Sequence, residues 1–266
     1  DELGGTWNWN RYPGARCDIP SLEYSYQFDE DLQQEWNWSE KYSAGPEILE
    51  YLNHVAEKFD LKDYINFEEE VIQAKFNEDS CLWSVSTNKQ KYVAKFCIFA
   101  TGCLSIPNKP EIPGLESFEG KLLHTATWPR EEQNFTDKNV AIIGTGSSSI
   151  QTIPEIAKDV KNLYVFQRTP NYSIPSNNGP MDKDVEAQVK ARYSEFRKEN
   201  SLNGFGLASL SDEAMISESD PEEVNSQFEE NWNTSGLAFF GGYADIPVDV
   251  DSNEVAANFV RNKIKE

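Results

Sequence analysis

Three stretches of this chain set residue types where they could do chemistry. The first is FEGKLLHTATWPR, residues 118–130, in which Phe118, Gly120, His124, Trp128 and Pro129 stand as F-x-G-x3-H-x3-W-P. With two histidines and seven tryptophans in the whole chain, such a pattern arises by chance on the order of once in a hundred thousand chains of this composition. His124 brings an imidazole that can hold or pass a proton, Gly120 admits a close backbone approach and Pro129 stiffens the exit. The second stretch is Gly144-Thr145-Gly146-Ser147-Ser148-Ser149. Glycines there let a turn open a helix whose first N–H groups and dipole favour a phosphate. Gly144, Thr145, Gly146, Ser147 and Ser148 are its candidate contacts, with Gln151 on the helix that follows. The third is GGTWNWNRYPGARCD, residues 4–18, where aromatic rings crowd between two glycine turns and the run ends on Asp18.

The elements that must position these residues can be read from pattern. KNVAIIG carries a short apolar strand, Val140 to Ile143, which enters the glycine turn. A helix follows over Ser149–Val160, with Pro154 able to shorten or kink it. Ser149 stands where a glycine or alanine normally lets the helix pack closely on the strand. The next strand, NLYVFQRTP, identifies the nucleotide. An NAD site places Asp or Glu about 20 residues past the glycines to bind the ribose 2′-hydroxyl. Here Arg168 lies 168 − 144 = 24 residues after Gly144 and no carboxylate ends the strand. Arginine suits a 2′-phosphate, so the residues point to NADP(H).

Elsewhere, Ile48, Leu49, Leu52, Val55, Ala56 and Phe59 recur at helical spacing over 46–59, with His54 off that stripe. Three strand patterns follow between Tyr64 and Gly102. The last contains the unbroken apolar run Phe96–Ala100, which suits a strand buried on both faces. Residues 103–137 carry Pro107, Pro110, Pro113 and Pro129 and read as a semi-rigid connection. Over 175–266 three helical stripes are expected: Val185, Val189, Tyr193 and Phe196; Val224, Phe228 and Trp232; and Val255, Phe259, Val260 and Ile264.

Composition narrows the partners. The 266 residues carry 45 acidic against 24 basic side chains, a formal charge of −21. Such a surface repels nucleic acid and anionic membranes, so neither is expected as a partner. Cys17, Cys81, Cys97 and Cys103 show no paired spacing and read as free thiols in a reducing compartment. No metal-ligand cluster is visible, no apolar run is long enough to span a bilayer, and the chain opens on Asp1-Glu2 without a secretion signal. A cytoplasmic protein is expected, and the missing initiator methionine suggests a fragment.

Taken together these motifs resemble the flavin-dependent Baeyer–Villiger monooxygenases over nearly the whole chain. FEGKLLHTATWPR resembles the family's fingerprint. GGTWNWNRYPGARCD is similar to the segment that wraps FAD, the Ala100-Thr101-Gly102 turn to the close of the first FAD-domain segment, and FQRTPNY to the NADP-binding run. By that resemblance Gly5, Thr6, Trp7, Tyr24 and Val71 meet FAD. Asp18 sits near the reactive edge of the flavin, where it positions a catalytic arginine. Arg16 and Cys17 lie beside the nicotinamide nucleotide, and Arg168 and Thr169 contact NADP. The catalytic parts fall to Asp18 and His124, the latter coupling NADP(H) binding to domain orientation.

The resemblance implies an α/β fold with two dinucleotide-binding, Rossmann-like domains, both incomplete here, plus a β-meander and a helical insertion. It divides the chain into a partial FAD-binding domain (1–104), a linker bearing the fingerprint (105–137), the first part of an NADP-binding domain (138–174) and a helical insertion (175–266). It puts the first FAD glycine motif and the catalytic Lys-Arg pair outside this sequence. The activity implied is insertion of one oxygen atom of O2 into a small-molecule ketone, giving an ester or lactone. A heteroatom-oxidising flavin monooxygenase and an inactive nucleotide-binding remnant stay open as alternatives.

Overall fold

Short apolar runs with turn residues between them make the strands of this chain, and longer 3.6-residue stripes make its helices. In the computed structural model, residues 2–102, 106–204, 206, 207, 210, 213–234 and 236–266 are described. Cys103, one of the four expected free thiols, lies outside them. In chain order the elements are α1 (Thr6–Trp9), α2 (Glu30–Glu35), α3 (Gly45–Lys58), β1 (Val71–Asn77), β2 (Leu82–Thr87), β3 (Lys91–Ala94), β4 (Asn139–Ile143), α4 (Ser147–Ile156), β5 (Asn162–Phe166), α5 (Lys183–Ala191), α6 (Tyr193–Leu202), α7 (Pro221–Thr234), α8 (Gly236–Phe240) and α9 (Val250–Lys265). Two units result: Asp1–Tyr12 with Ile48–Glu132, and Pro13–Glu47 with Gln133–Glu266. No helix among the described residues is long and apolar enough to cross a membrane.

In the first unit α3 buries Ile48, Val55 and Ala56 of the expected stripe, with Leu49, Leu52 and Phe59 only half-buried and Tyr51, which the stripe did not include, buried beside them. β1, β2 and β3 form an antiparallel meander in that order, with Ala74 opposite Val85 and Val85 opposite Tyr92. Phe96–Ala100 does not extend it. The run forms no strand, and Phe96 and Ile98 are 77% and 89% exposed. No strand of the described residues pairs with it. Apolar sequence without a ladder partner has no sheet to be buried in.

In the second unit β4 and β5 pair in parallel, Asn139 opposite Asn162 through Ile143 opposite Phe166, with α4 as the crossover. This strand–turn–helix–strand is the mixed α/β, Rossmann-type element expected from the glycine turn. α4 starts two residues earlier than its pattern suggests and stops at Ile156, two residues past Pro154, whose ring cannot donate into the helix.

The helical part of this unit has its own core. Val224 and Phe228 of α7, Phe239 of α8, Tyr243, Ile246, and Ala256, Phe259 and Val260 of α9 pack together, with Phe228 stacked on Phe239 at 4.9 Å between ring centroids. The α7 stripe is as expected. On α9, Val255 and Ile264 are exposed and the buried face runs through Ser252, Ala256 and Ala257 instead. On α5, Val185 is exposed while Glu186 is 4% exposed. The backbone breaks at Arg192 (φ −134°, ψ 32°), so Val185, Val189, Tyr193 and Phe196 do not share one helix face. Glu186 is tolerated because Lys183 Nζ (2.8 Å), Lys190 Nζ (3.7 Å) and the Trp38 N–H (3.3 Å) meet its carboxylate.

Asp245 anchors this helical core. Burial pushes its carboxyl up, but donors from Ile216 N (2.9 Å), Ser217 N (3.1 Å), Ser252 Oγ (2.8 Å) and Ser217 Oγ (3.1 Å) outweigh that and hold it at about 2. Asp245→Ala should lower unfolding free energy by about 1–3 kcal/mol, because it strips charge-assisted bonds and leaves two N–H groups unpaired. The carboxyl is depressed on folding, so its contribution is complete above its ordinary value of 3.8 and is lost as pH falls through about 2. Urea midpoints of wild type and variant should therefore differ at neutral pH and converge toward pH 2.

Candidate nucleotide-binding site

β4 leads straight into Gly144, whose φ of +100° only glycine adopts without strain and whose N–H donates to Phe166 O at 2.8 Å. Gly146 then caps α4, its carbonyl accepting from Ile150 N at 3.0 Å, and no side chain caps the helix. The first-turn N–H groups thus have no intrahelical partner, and the turn itself carries no acidic residue. A Cβ at either Gly144 or Gly146 would meet no atom within 4 Å, so space lies open where an anion would sit. Thr145 Oγ1 accepts from Gln167 Nε2 at 2.8 Å, which ties the turn to the end of β5.

A cleft of about 850 Å³ opens at this helix end, within the range of small-molecule and cofactor sites. Thr145, Gly146, Ser147 and Gln151 line it together with Arg16, Cys17 and Asp18, and Tyr172, Leu237 and Phe240 add apolar wall. The aromatic core positions part of that wall, since Phe239 is locked into it between Leu237 and Phe240 of the same short helix.

The segment 14–18 is held by long-range bonds. Arg16 bridges Ala44 in antiparallel fashion, Cys17 N donates to Ser43 O (3.2 Å) and Gly45 N to Ala15 O (2.8 Å). Arg16 Nη1 pairs with Glu40 Oε2 at 2.8 Å, and Asn178 Nδ2 donates to the same oxygen at 2.7 Å. Cys17 is 8% exposed, and burial pushes its thiol up to about 11, with Ile19 N donating to its Sγ at 3.4 Å. That thiol stays protonated at neutral pH and is no nucleophile. Asp18 is exposed and accepts from Gln151 Nε2 at 2.9 Å.

Other expected site residues lie apart from the cleft lining. Ser148 gives its carbonyl to Thr152 Oγ1 (2.7 Å). Arg168 and Thr169 are exposed just past β5, and among the described residues no carboxylate pairs with Arg168. Tyr24 is exposed on a loop whose neighbours Glu23 and Ser25 offer carbonyls to Arg197 (2.8 and 3.1 Å). In the first unit, Gly5 (φ +48°) precedes α1, which carries Thr6 and Trp7, and no atom lies within 4 Å of a Cβ built on it. Val71 opens β1, exposed and opposite Thr87.

His124 caps a single 3-10 turn, Thr125–Thr127. Its Nδ1 accepts from Ala126 N (3.2 Å), which leaves the proton on Nε2 to be donated to Asn108 O at 3.2 Å. The next residue pair explains itself: Trp128 is extended (φ −61°, ψ 131°), as the residue before Pro129 must be. Within the first unit Phe118 lays its ring on Gly120, where a Cβ would come 2.5 Å from the ring's Cζ.

Glu40, Asn178, Tyr172, Leu237 and Phe240 were not singled out by sequence. Each is joined to the site only by folding, and none sits in a local pattern that marks it.

Residues 21–244 match the pyridine nucleotide-disulphide oxidoreductase family, and the chain belongs to it. It is similar, at 39% identity across its whole length, to a Baeyer-Villiger monooxygenase of Pseudooceanicola batsensis and to a cyclohexanone 1,2-monooxygenase of an Acinetobacter species. It covers 49% of each of these, so the chain spans about half the length of the curated relatives it matches. Its fold superposes with a TM-score of 0.94 and 44% identity on an oxidised steroid monooxygenase bound to NADP, over 100% of this chain and 51% of that one.

Proposed function

We propose that the whole protein is an FAD- and NADPH-dependent monooxygenase that converts a ketone, O2, NADPH and a proton into an ester or lactone, NADP+ and water. The observation that carries the reading is the uncapped N-terminus of α4, open at Gly144 and Gly146, sharing one cleft with Asp18. The turn fits a dinucleotide diphosphate, and the carboxylate-free end of β5 fits a 2′-phosphate. Reduction of bound FAD by NADPH, and its reaction with O2, supply the oxygen chemistry.

The chain's own residues bind, orient and exclude. N–H groups from Thr145 through Ser148 would hold the diphosphate, and Arg168 with Thr169 the 2′-phosphate. Arg16 and Cys17 flank the nicotinamide end, where the protonated thiol offers an uncharged wall. Gly5, Thr6, Trp7, Tyr24 and Val71 serve FAD. Asp18 holds the arginine that the resemblance places outside this chain against developing negative charge on the reacting oxygen. Tyr172, Leu237 and Phe240 limit water at the cleft. The compartment we assign is the cytoplasm, on the free thiols and the acidic surface.

His124 has both ring nitrogens engaged by backbone. It is better suited to fixing the fingerprint turn, and through it the response to NADP(H), than to passing protons. His124→Ala in the whole protein should weaken NADPH binding or slow flavin reduction by about tenfold, the scale of two lost hydrogen bonds. Unchanged NADPH affinity, flavin reduction and product yield would refute this role.

The function itself is tested by supplying the FAD-loaded whole protein with NADPH and either a cyclic ketone or a tertiary amine or sulfide. Lactone from the ketone is expected. Oxidation of the amine or sulfide alone would transfer the protein to the heteroatom-oxidising class, and NADPH binding with no oxygenation would leave a nucleotide-binding remnant.

A further inference from the structure

The side-chain amide of Gln151 makes three hydrogen bonds to one short stretch far away in sequence. Its Nε2 donates to Arg16 O (3.1 Å) and to Asp18 Oδ1 (2.9 Å), and its Oε1 accepts from Arg16 N (3.3 Å). An amide side chain offers the same donor and acceptor as a peptide group, so Gln151 pairs with both backbone groups of Arg16 as a neighbouring strand would. Segment 15–17 is thereby held between residues 43–45 on one edge and Gln151 on the other.

Gly14 makes the approach possible. At φ +80°, a Cβ on it would stand 2.3 Å from the Gln151 carbonyl oxygen, a distance no side chain can occupy. Once both backbone groups of Arg16 are engaged, the remaining N–H of Gln151 points to Asp18. Among the described residues this is the one hydrogen bond the Asp18 side chain makes. Both N–H groups of Gln151 are then committed, which leaves it no donor for a nucleotide.

We propose that Gln151 is a positioning residue that fixes Asp18 relative to the phosphate-binding end of α4, its role directed at Asp18 and not at the cofactor. The inference rests on the reading of Asp18 as the carboxylate that orients the reaction's positive partner. Nucleotide seated on α4 and the carboxylate at the reacting centre are then registered to each other by one side chain on the helix itself. A shift of α4 would carry Asp18 with it.

The test uses the whole protein with FAD and NADPH. Gln151→Met keeps volume but none of the three bonds, and should lower kcat about tenfold with the NADPH KM held within about twofold. A second reading needs no turnover. In a background where every cysteine of the whole protein except Cys17 is serine, labelling of the Cys17 thiol by a disulfide reagent should speed up about tenfold as the latch opens. Gln151→Glu retains the bond from Arg16 N but sets a like charge against Asp18, and should lose at least as much kcat; it takes the place of Gln151→Met if that variant does not fold. A tenfold rise in NADPH KM at constant kcat, or variants unchanged in both kcat and labelling, would overturn the inference. Undiminished turnover in Asp18→Asn would instead remove the reading of Asp18 on which it rests.

Discussion

Asp18→Asn in the whole protein should cut turnover by about 10²–10³-fold, the usual scale for removing one preorganised electrostatic element from a reacting centre. The variant keeps the shape of the side chain and still accepts from Gln151, so the loop should stay in place. What it loses is the negative charge that orients the positive partner. Because Asp18 is exposed and its one observed bond is to an amide, the melting temperature should move by no more than about 1–2 °C, as for surface changes generally. NADPH affinity should change little, since the proposed diphosphate donors are backbone N–H groups of Thr145–Ser148 and not Asp18. Stopped-flow traces would separate the steps: flavin reduction near wild type, ester or lactone formation collapsed. Loss of both together with loss of folding would mean that Asp18 is a structural residue of the 14–18 loop.

The second large effect concerns cofactor choice. Arg168→Glu should weaken NADPH by roughly a hundredfold, since it removes charge-assisted bonds to a 2′-phosphate and opposes that phosphate with like charge. NADH, which carries no 2′-phosphate, should be affected less than about threefold, and with a carboxylate now placed for the ribose hydroxyl it should compete better. Arg168 is suited to this reading because no carboxylate of the described residues neutralises it and it stands free past the end of β5. Equal losses for both nucleotides would assign it a surface role.

The sequence carried the local parts of the site and left the long-range parts silent. Strand, glycine turn and helix are consecutive, so β4, Gly144, Gly146 and α4 were legible from spacing alone. Arg168, at a fixed distance along the same unit, stands just past β5 but outside the cleft lining. The pairing of Gln151 with Asp18 spans half the chain and depends on Gly14 letting two backbones touch, a geometry no window of sequence contains. Arg16 and Asn178 share the carboxylate of Glu40 for the same reason. The misread elements fail in one physical way. Phe96–Ala100 is apolar enough for a buried strand but finds no pairing partner, and Val185 is apolar enough for a helix stripe but loses the buried face to Glu186, whose two lysines and backbone donor compensate the charge. Hydrophobic pattern states what a residue would gain by burial, while the neighbours decide whether burial is on offer.

The most direct test of the central claim is isotopic. The whole protein, loaded with FAD and given NADPH and a cyclic ketone under 18O2, should yield a lactone carrying one 18O atom, placed in the ring ester oxygen, with NADPH consumed one for one. A lactone without label, or NADPH consumption under 18O2 that leaves the ketone intact, would contradict it.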